Sequence, residues 1–179
     1  MFVFTTDFYR AQVQVWCPMR KLVVRRGRRR DSGQFIGLVQ ALAKYERLEP
    51  PSTEGRKRLV EDVFKRKRIR LLVAAEGKKL VGYALYFYVY SSFVAKPTLY
   101  LEDLFVLEEY RKHGVGFALF RRCVELALSE GCGRMEWTVL VWNKKALRFY
   151  EKLGAERMSD WYLYRLDEAA LKRVPSRLR

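Results

Sequence analysis

The densest chemical signal in the chain lies between Leu99 and Ala118, where Leu99-Tyr-Leu-Glu-Asp-Leu-Phe-Val106 leads, past Leu107, into Glu108-Glu-Tyr-Arg-Lys-His-Gly-Val-Gly-Phe-Ala118. An apolar β-rich run reads as a strand, the paired glycines as a tight turn, and Val115-Gly-Phe-Ala118 as the opening of a helix. That order makes an anion cradle. Gly114 and Gly116 carry no Cβ, so backbone N–H groups can converge on a ligand, and the helix N-terminus adds partial positive charge. Arg111 and Lys112 supply full charges beside it, while His113 reads as a solvent-facing loop residue. The spacing excludes two rival phosphate motifs. No Lys-Ser/Thr pair closes a nucleoside-triphosphate loop, and Gly-x-Gly lacks the third small residue of a dinucleotide fingerprint. Just ahead on the strand stand Glu102 and Asp103, which simple alternation sends to opposite faces.

The elements that must hold this turn follow from periodicity. Leu22 to Arg25 reads as a short strand, and Asp31-Ser32 as the cap of a helix over about Gly33 to Tyr45 with Phe35, Leu38, Val39 and Leu42 on its apolar face. Pro50-Pro51-Ser52 breaks the chain before a second, very basic helix through Leu59, Val60, Val63 and Phe64. Leu71 to Glu76 and Leu80 to Tyr90 flank Gly77-Lys-Lys79 as an antiparallel hairpin, and Leu99 to Val106 is the next strand. Beyond the glycine turn the pattern predicts a helix carrying Phe117, Phe120, Val124, Ala127 and Leu128, a strand over Met135 to Val141, a helix over Lys144 to Leu153 stopped by Gly154, and a last strand over Trp161 to Leu166. The class is α/β with a mixed sheet. Tyr83, Tyr86, Tyr88 and Tyr90 alternate as sheet filling or interface rather than as a base-stacking platform.

Half of the 179 residues are apolar, which suffices for one substantial core. Residues 1–18 fit none of these elements and read as an N-terminal extension or an early start, followed by a single domain over residues 19–171 and a basic tail over residues 172–179. No leader pattern and no apolar run of membrane-spanning length is present, and the expectation is a cytoplasmic protein. Three cysteines without CxxC spacing and a single histidine indicate neither a disulfide framework nor a metal site. The net charge of +16 is unevenly spread. Leu71 to Ala155 holds twelve Lys and Arg against nine Asp and Glu, so most of the excess lies in Arg25 to Arg30, Arg56 to Arg70 and the C-terminal tail. Such runs read as solvated faces, with nucleic-acid binding through them the alternative.

Arg111-Lys-His-Gly114-Val-Gly116 resembles the Arg/Gln-x-x-Gly-x-Gly/Ala loop of GNAT acetyltransferases, and Trp142-Asn143 with Phe149-Tyr-Glu-Lys-Leu-Gly154-Ala155 resembles a second element of the same family. Leu42-Ala-Lys-Tyr-Glu46, Tyr100-Leu-Glu-Asp103 and Trp161 are similar to markers of its spermidine/spermine and thialysine branch. The resemblance runs from about Leu22 to Leu171. It implies a GNAT acyltransferase fold, a mixed and mostly antiparallel central sheet with helices on both faces, and an acetyl-coenzyme-A-dependent N-acetyltransferase that needs no metal. It further implies that the backbone of Leu104, Phe105 and Val106 meets the pantetheine arm, and that Arg111 to Ala118, including Val115 and Phe117, hold the pyrophosphate. Asn143, Tyr150 and Lys152 are implied as further coenzyme contacts.

The same resemblance gives Tyr150 as the acid that protonates the leaving thiolate and Glu102 as the base that takes a proton from the amine. A phenol with a pKa of about 10 can serve a thiolate whose conjugate acid lies near about 8.5. Tyr45, Glu46, Glu102 and Asp103 are the implied acceptor-binding residues. Val141-Trp-Asn-Lys-Lys145 departs from the branch, which carries an acidic residue before Trp-Asn and often Glu-Pro after it. Three readings follow: a polyamine or lysine-like small amine as acceptor, a protein lysine or N-terminus as acceptor, or a non-catalytic module that binds coenzyme or nucleic acid. A homodimer is implied as well.

Overall fold

The computed structural model describes residues 13–17 and 20–177. The chain divides into two compact units, Met1–Thr138 and Val139–Arg179.

The first unit is built on a six-stranded sheet in the order β1-β2-β3-β4-β5-β6. The strands are β1 (Val13–Cys17), β2 (Arg20–Arg26), β3 (Arg70–Glu76), β4 (Lys79–Ser91), β5 (Lys96–Val106) and β6 (Arg134–Glu136). Neighbours run antiparallel except β5 and β6, which are parallel, so the sheet is mixed and mostly antiparallel as expected. One expectation is overturned at the N-terminal edge. Val13–Cys17 pairs with Arg20–Val24, so part of the segment assigned to an extension belongs to the sheet. Alternating Val13, Val15 and Cys17 were too short a signal to separate a strand from a loop without the neighbour that supplies its hydrogen bonds. Residues 1–12 and 18–19 lie outside the described residues.

The central strand β3 is buried from Leu71 to Ala75 because helices cover both faces of the sheet. On one face, α1 (Ser32–Glu46) and α2 (Thr53–Phe64) bring Phe35, Leu38 and Val63 onto Leu71, Val73, Tyr83, Leu85 and Phe105. Phe35 meets Tyr83 edge to face, with ring centroids 5.4 Å apart. On the other face, α3 (Val115–Ser129) packs against β4 and β5 and buries Leu119, Cys123 and Leu126. The start of α1 also differs from expectation. The Asp31 carboxylate makes no cap bond to the helix; it accepts from Nη1 and Nη2 of Arg25 at 2.7 and 3.0 Å and from the Arg28 N–H at 2.7 Å. A bidentate guanidinium outcompetes a lone helix N–H for the same oxygens.

The second unit contains α4 (Lys144–Lys152) and α5 (Glu168–Arg177). The strand expected over Met135 to Val141 is confined to Arg134–Glu136, and Trp161 to Leu166 forms no strand. Trp161, Tyr162 and Tyr164 favour β-structure, yet they stand exposed and without a ladder partner here. Propensity for a strand is realised only through pairing. The expected basic tail is helical through residue 177.

Candidate active site

The end of β5 presents an unusual edge. Leu107 N–H donates to the Val81 carbonyl at 2.9 Å, and Gly82 lies opposite Val106. In an antiparallel ladder this alternation turns the N–H and C=O of Val106 and of Leu104 away from β4. On that far side β6 pairs with Thr98 to Tyr100, and among the described residues no strand of the sheet covers Leu104 to Val106. An extended ligand with amide groups can add to such an edge.

The chain then makes a 3-10 turn over Glu108–Tyr110 and a further turn to Gly114, which caps α3 with φ of +79° and no side-chain hydrogen bond. The first intrahelical bond runs from Ala118 N–H to the Gly114 carbonyl at 2.9 Å. The N–H groups of the preceding residues therefore point along the helix axis into the turn. A Cβ at Gly114 is strained by the backbone, whereas a Cβ at Gly116 would meet nothing closer than Val106 Cγ2 at 3.8 Å. Packing does not demand glycine at 116. Its absent side chain leaves open the space a pyrophosphate needs at the helix start, and Lys112, His113 and Phe117 are exposed around it. A coenzyme A thioester thus fits both the bare strand edge and the cradle.

Arg111 is placed differently from the expectation of a charge offered to the ligand. Its Nε donates to the Val106 carbonyl at 2.8 Å, and its guanidinium lies 4.6 Å from the centroid of the Tyr45 ring and 5.5 Å from that of Phe105. Lys112, by contrast, is exposed and holds φ of +64° in the turn.

The carboxylates expected to bind the acceptor lie around a break in the strand register. Leu101 lies opposite Tyr86 and Asp103 opposite Leu85, so Glu102 is the extra residue of a β-bulge. Leu101 and Asp103 consequently face opposite sides of the sheet, and the strict alternation expected at Glu102 and Asp103 does not hold. Asp103 turns toward the α1 face, where it accepts a 3.0 Å hydrogen bond from the Tyr83 hydroxyl. Burial pushes its carboxyl up to about 6; the Tyr83 bond opposes the shift, and the charges of Glu102 and Glu46 add to it. Tyr83 is itself fully buried and, by that burial and the Asp103 charge, raised well above the usual phenol range. It remains a donor. Glu46, in the last turn of α1, is raised by burial too, whereas Glu102 stands exposed on the bulge. Sequence reasoning missed Tyr83, since an inward tyrosine in an apolar strand carries no mark of the partner it meets across the sheet.

In the second unit Asn143 caps α4, its Oδ1 accepting from Ala146 N–H at 3.2 Å. Phe149 and Tyr150 lie edge to face with centroids 5.1 Å apart, Tyr150 half-buried and Lys152 exposed.

Residues 35–155 match the acetyltransferase (GNAT) family. The chain is 31% identical to a thialysine N-epsilon-acetyltransferase of Mus musculus over 166 residues, covering 86% of this chain and 97% of that protein. Over 95 residues, 53% of this chain and 42% of the other, it is 41% identical to an L-ornithine N5-acetyltransferase of Arabidopsis thaliana. An aminoglycoside N-acetyltransferase solved with CoA shares the fold, with a TM-score of 0.69 at 19% identity over 82% of this chain and 95% of that one. The chain belongs to the GNAT family of acetyltransferases. It is an N-acetyltransferase that uses acetyl-coenzyme A, not a non-catalytic module.

Proposed function

We propose that the acceptor is the terminal primary amine of a lysine-like amino acid or a short polyamine. The observation that carries this reading is the carboxylate group formed by Glu46, Glu102 and Asp103 immediately ahead of the strand edge. At about 3.3 Å per strand residue, the two β5 carboxylates lie within about 13 Å of the edge groups of Leu104 and Val106. Two ammonium groups on one small molecule need opposed charges to offset their desolvation, and this cluster supplies them. Relatives named for thialysine and ornithine support a lysine-like acceptor.

Acetyl-coenzyme A brings an already activated thioester, so the protein needs to position two reactants and move two protons. Leu104 to Val106 align the coenzyme arm along the strand edge, and Lys112 to Ala118 hold its phosphates through backbone N–H groups. Glu102, lifted out of the ladder by the bulge, takes a proton from the ammonium directly or through water, since only a neutral amine has a lone pair for attack. Asp103 and Glu46 anchor the distal cation of the acceptor. Tyr150 gives the departing thiolate its proton, and Asn143 and Lys152 contact the coenzyme. The enzyme works as a homodimer in the cytoplasm; Phe93, fully exposed at the β4–β5 turn beside Tyr90 and Val94, supports such an interface, and the free thiols of Cys123 and Cys132 suit a reducing compartment.

Release of coenzyme A from acetyl-coenzyme A is the test, measured with thialysine, lysine, ornithine, spermidine and lysine peptides. Turnover of the small amines, falling by about 100-fold or more in Tyr150→Phe, is expected for a general acid. Peptide turnover with inert small amines would replace the acceptor assignment. An unchanged rate in Tyr150→Phe would remove that residue from the mechanism.

A further inference from the structure

The side chain of Arg111 spans two parts of the first unit that bind different reactants in the reading above, on which this inference rests. Its Nε holds the Val106 carbonyl, the last backbone acceptor on the bare edge of β5. Its guanidinium covers the ring of Tyr45, which stands in the last turn of α1 directly before the acceptor carboxylate Glu46. Phe105 forms a further aromatic contact with the same guanidinium, at 5.5 Å. The backbone of Arg111 begins the coenzyme turn, its N–H bonded to the Glu108 carbonyl at 3.1 Å. One planar cation therefore fixes three things at once: where the strand edge ends, where the turn begins and where the acceptor end of α1 sits.

The Val106 carbonyl faces the open edge, where an extended ligand's amide could otherwise compete for it. With the guanidinium already bonded there, the edge leaves Leu104 N–H, Leu104 C=O and Val106 N–H for a ligand, a fixed and shorter register. Lysine could not replace this arrangement, because an ammonium lacks the flat face that lies over Tyr45 while an N–H of the same group reaches a carbonyl. We propose that Arg111 is a positioning residue that clamps the coenzyme turn to Tyr45, so that the affinity of the turn for coenzyme A depends on an aromatic ring carried by the acceptor-side helix.

The clamp makes a prediction that a simple anion-binding arginine does not: a substitution on α1, in a residue outside the coenzyme turn, weakens coenzyme binding. Coenzyme A affinity is measured by calorimetry on the full chain, with thermal unfolding of each variant alongside. Tyr45→Leu removes the ring face and is expected to weaken coenzyme A about three- to tenfold, the range of a partly desolvated cation–π contact. Tyr45→Phe keeps the face and is expected to stay within about twofold of wild type. Arg111→Gln keeps a donor for the Val106 carbonyl but loses the charge, and adding Tyr45→Leu to it is expected to cost nothing more, because the two residues act as one unit. Wild-type affinity in Tyr45→Leu, or full additivity in the double variant, overturns the clamp. Should Tyr45→Leu fail to fold, Tyr45→Met carries the same comparison. A wild-type protein that binds no coenzyme A overturns the underlying functional reading instead, and the two failures are told apart by that first titration.

Discussion

Asp103 has the most altered environment of the implied acceptor residues, and its consequence is a pH dependence of stability. Burial and the neighbouring Glu102 and Glu46 raise its pKa to about 6 even though Tyr83 donates to it. The folded protein then holds this proton more tightly than the unfolded chain does. Its stabilising contribution is complete below the ordinary carboxylate range near about 4 and is lost as pH rises through about 6. Urea titrations across that window should show wild type losing stability with pH and Asp103→Asn losing less. Parallel curves for the two proteins would mean that Asp103 ionises as an ordinary surface carboxylate. A bound acceptor changes the sign of the local field: an ammonium beside Asp103 favours its carboxylate, so amine binding should tighten as pH rises through the same range.

At the scale of elements, β5 is held in place by one close approach. A Cβ added at Gly82 would lie 2.7 Å from the Phe105 carbonyl, 3.2 Å from Val106 Cγ2 and 3.4 Å from Leu119 Cδ1. The first of these neighbours is backbone and cannot swing aside. Gly82→Ala must therefore push β5 from β4 and from α3 at the residues that form the bare edge. We expect it to destabilise the protein by about 1–3 kcal/mol and to weaken coenzyme A at the same time. Denaturant unfolding and calorimetry check the two effects; a stability loss with unchanged coenzyme affinity would separate the strand position from the site. The bulge at Glu102 works on the same scale, because a single unpaired residue lets Leu101 enter one side of the sheet and Asp103 the other.

At the scale of the molecule, the arginine-rich run of the first unit collects its positive charge away from the glycine turn. Gly27 N–H bonds the Leu71 carbonyl, and Arg26 lies opposite Leu72, so the exposed Arg26, Arg28, Arg29 and Arg30 border the exposed Lys65 to Arg68 at one end of β3. The turn lies at the other end of that strand, where Tyr110 donates to Glu76 at 2.7 Å and Lys79 pairs with Glu109. Six residues of strand separate the two ends by about 20 Å, which exceeds the screening length at physiological salt. The charge thus belongs to a solvated edge of the sheet and contributes little at the site. Within the first unit, exposed apolar side chains gather at the β4–β5 turn, and the proposed homodimer is tested there. Light scattering should give twice the chain mass for wild type and a shift toward monomer for Phe93→Asp. A wild-type monomer at micromolar concentration would overturn the dimer.

What the sequence determined by itself is local. The glycine turn before α3, the stop at Gly154 and the hairpin around Gly77 are written in residues whose backbone preferences act within a few positions, and each lies where its pattern put it. The tertiary structure decided whatever depends on a partner distant in the chain. Val13–Cys17 became a strand because Arg20–Val24 was there to pair with it, while the stronger β-formers of Trp161 to Leu166 found no ladder. Tyr83 became the donor to Asp103 and the Arg111 guanidinium came to lie over the Tyr45 ring by the same rule. A hydrogen bond or a cation–π contact belongs to two residues, and a chain read one position at a time names only one of them.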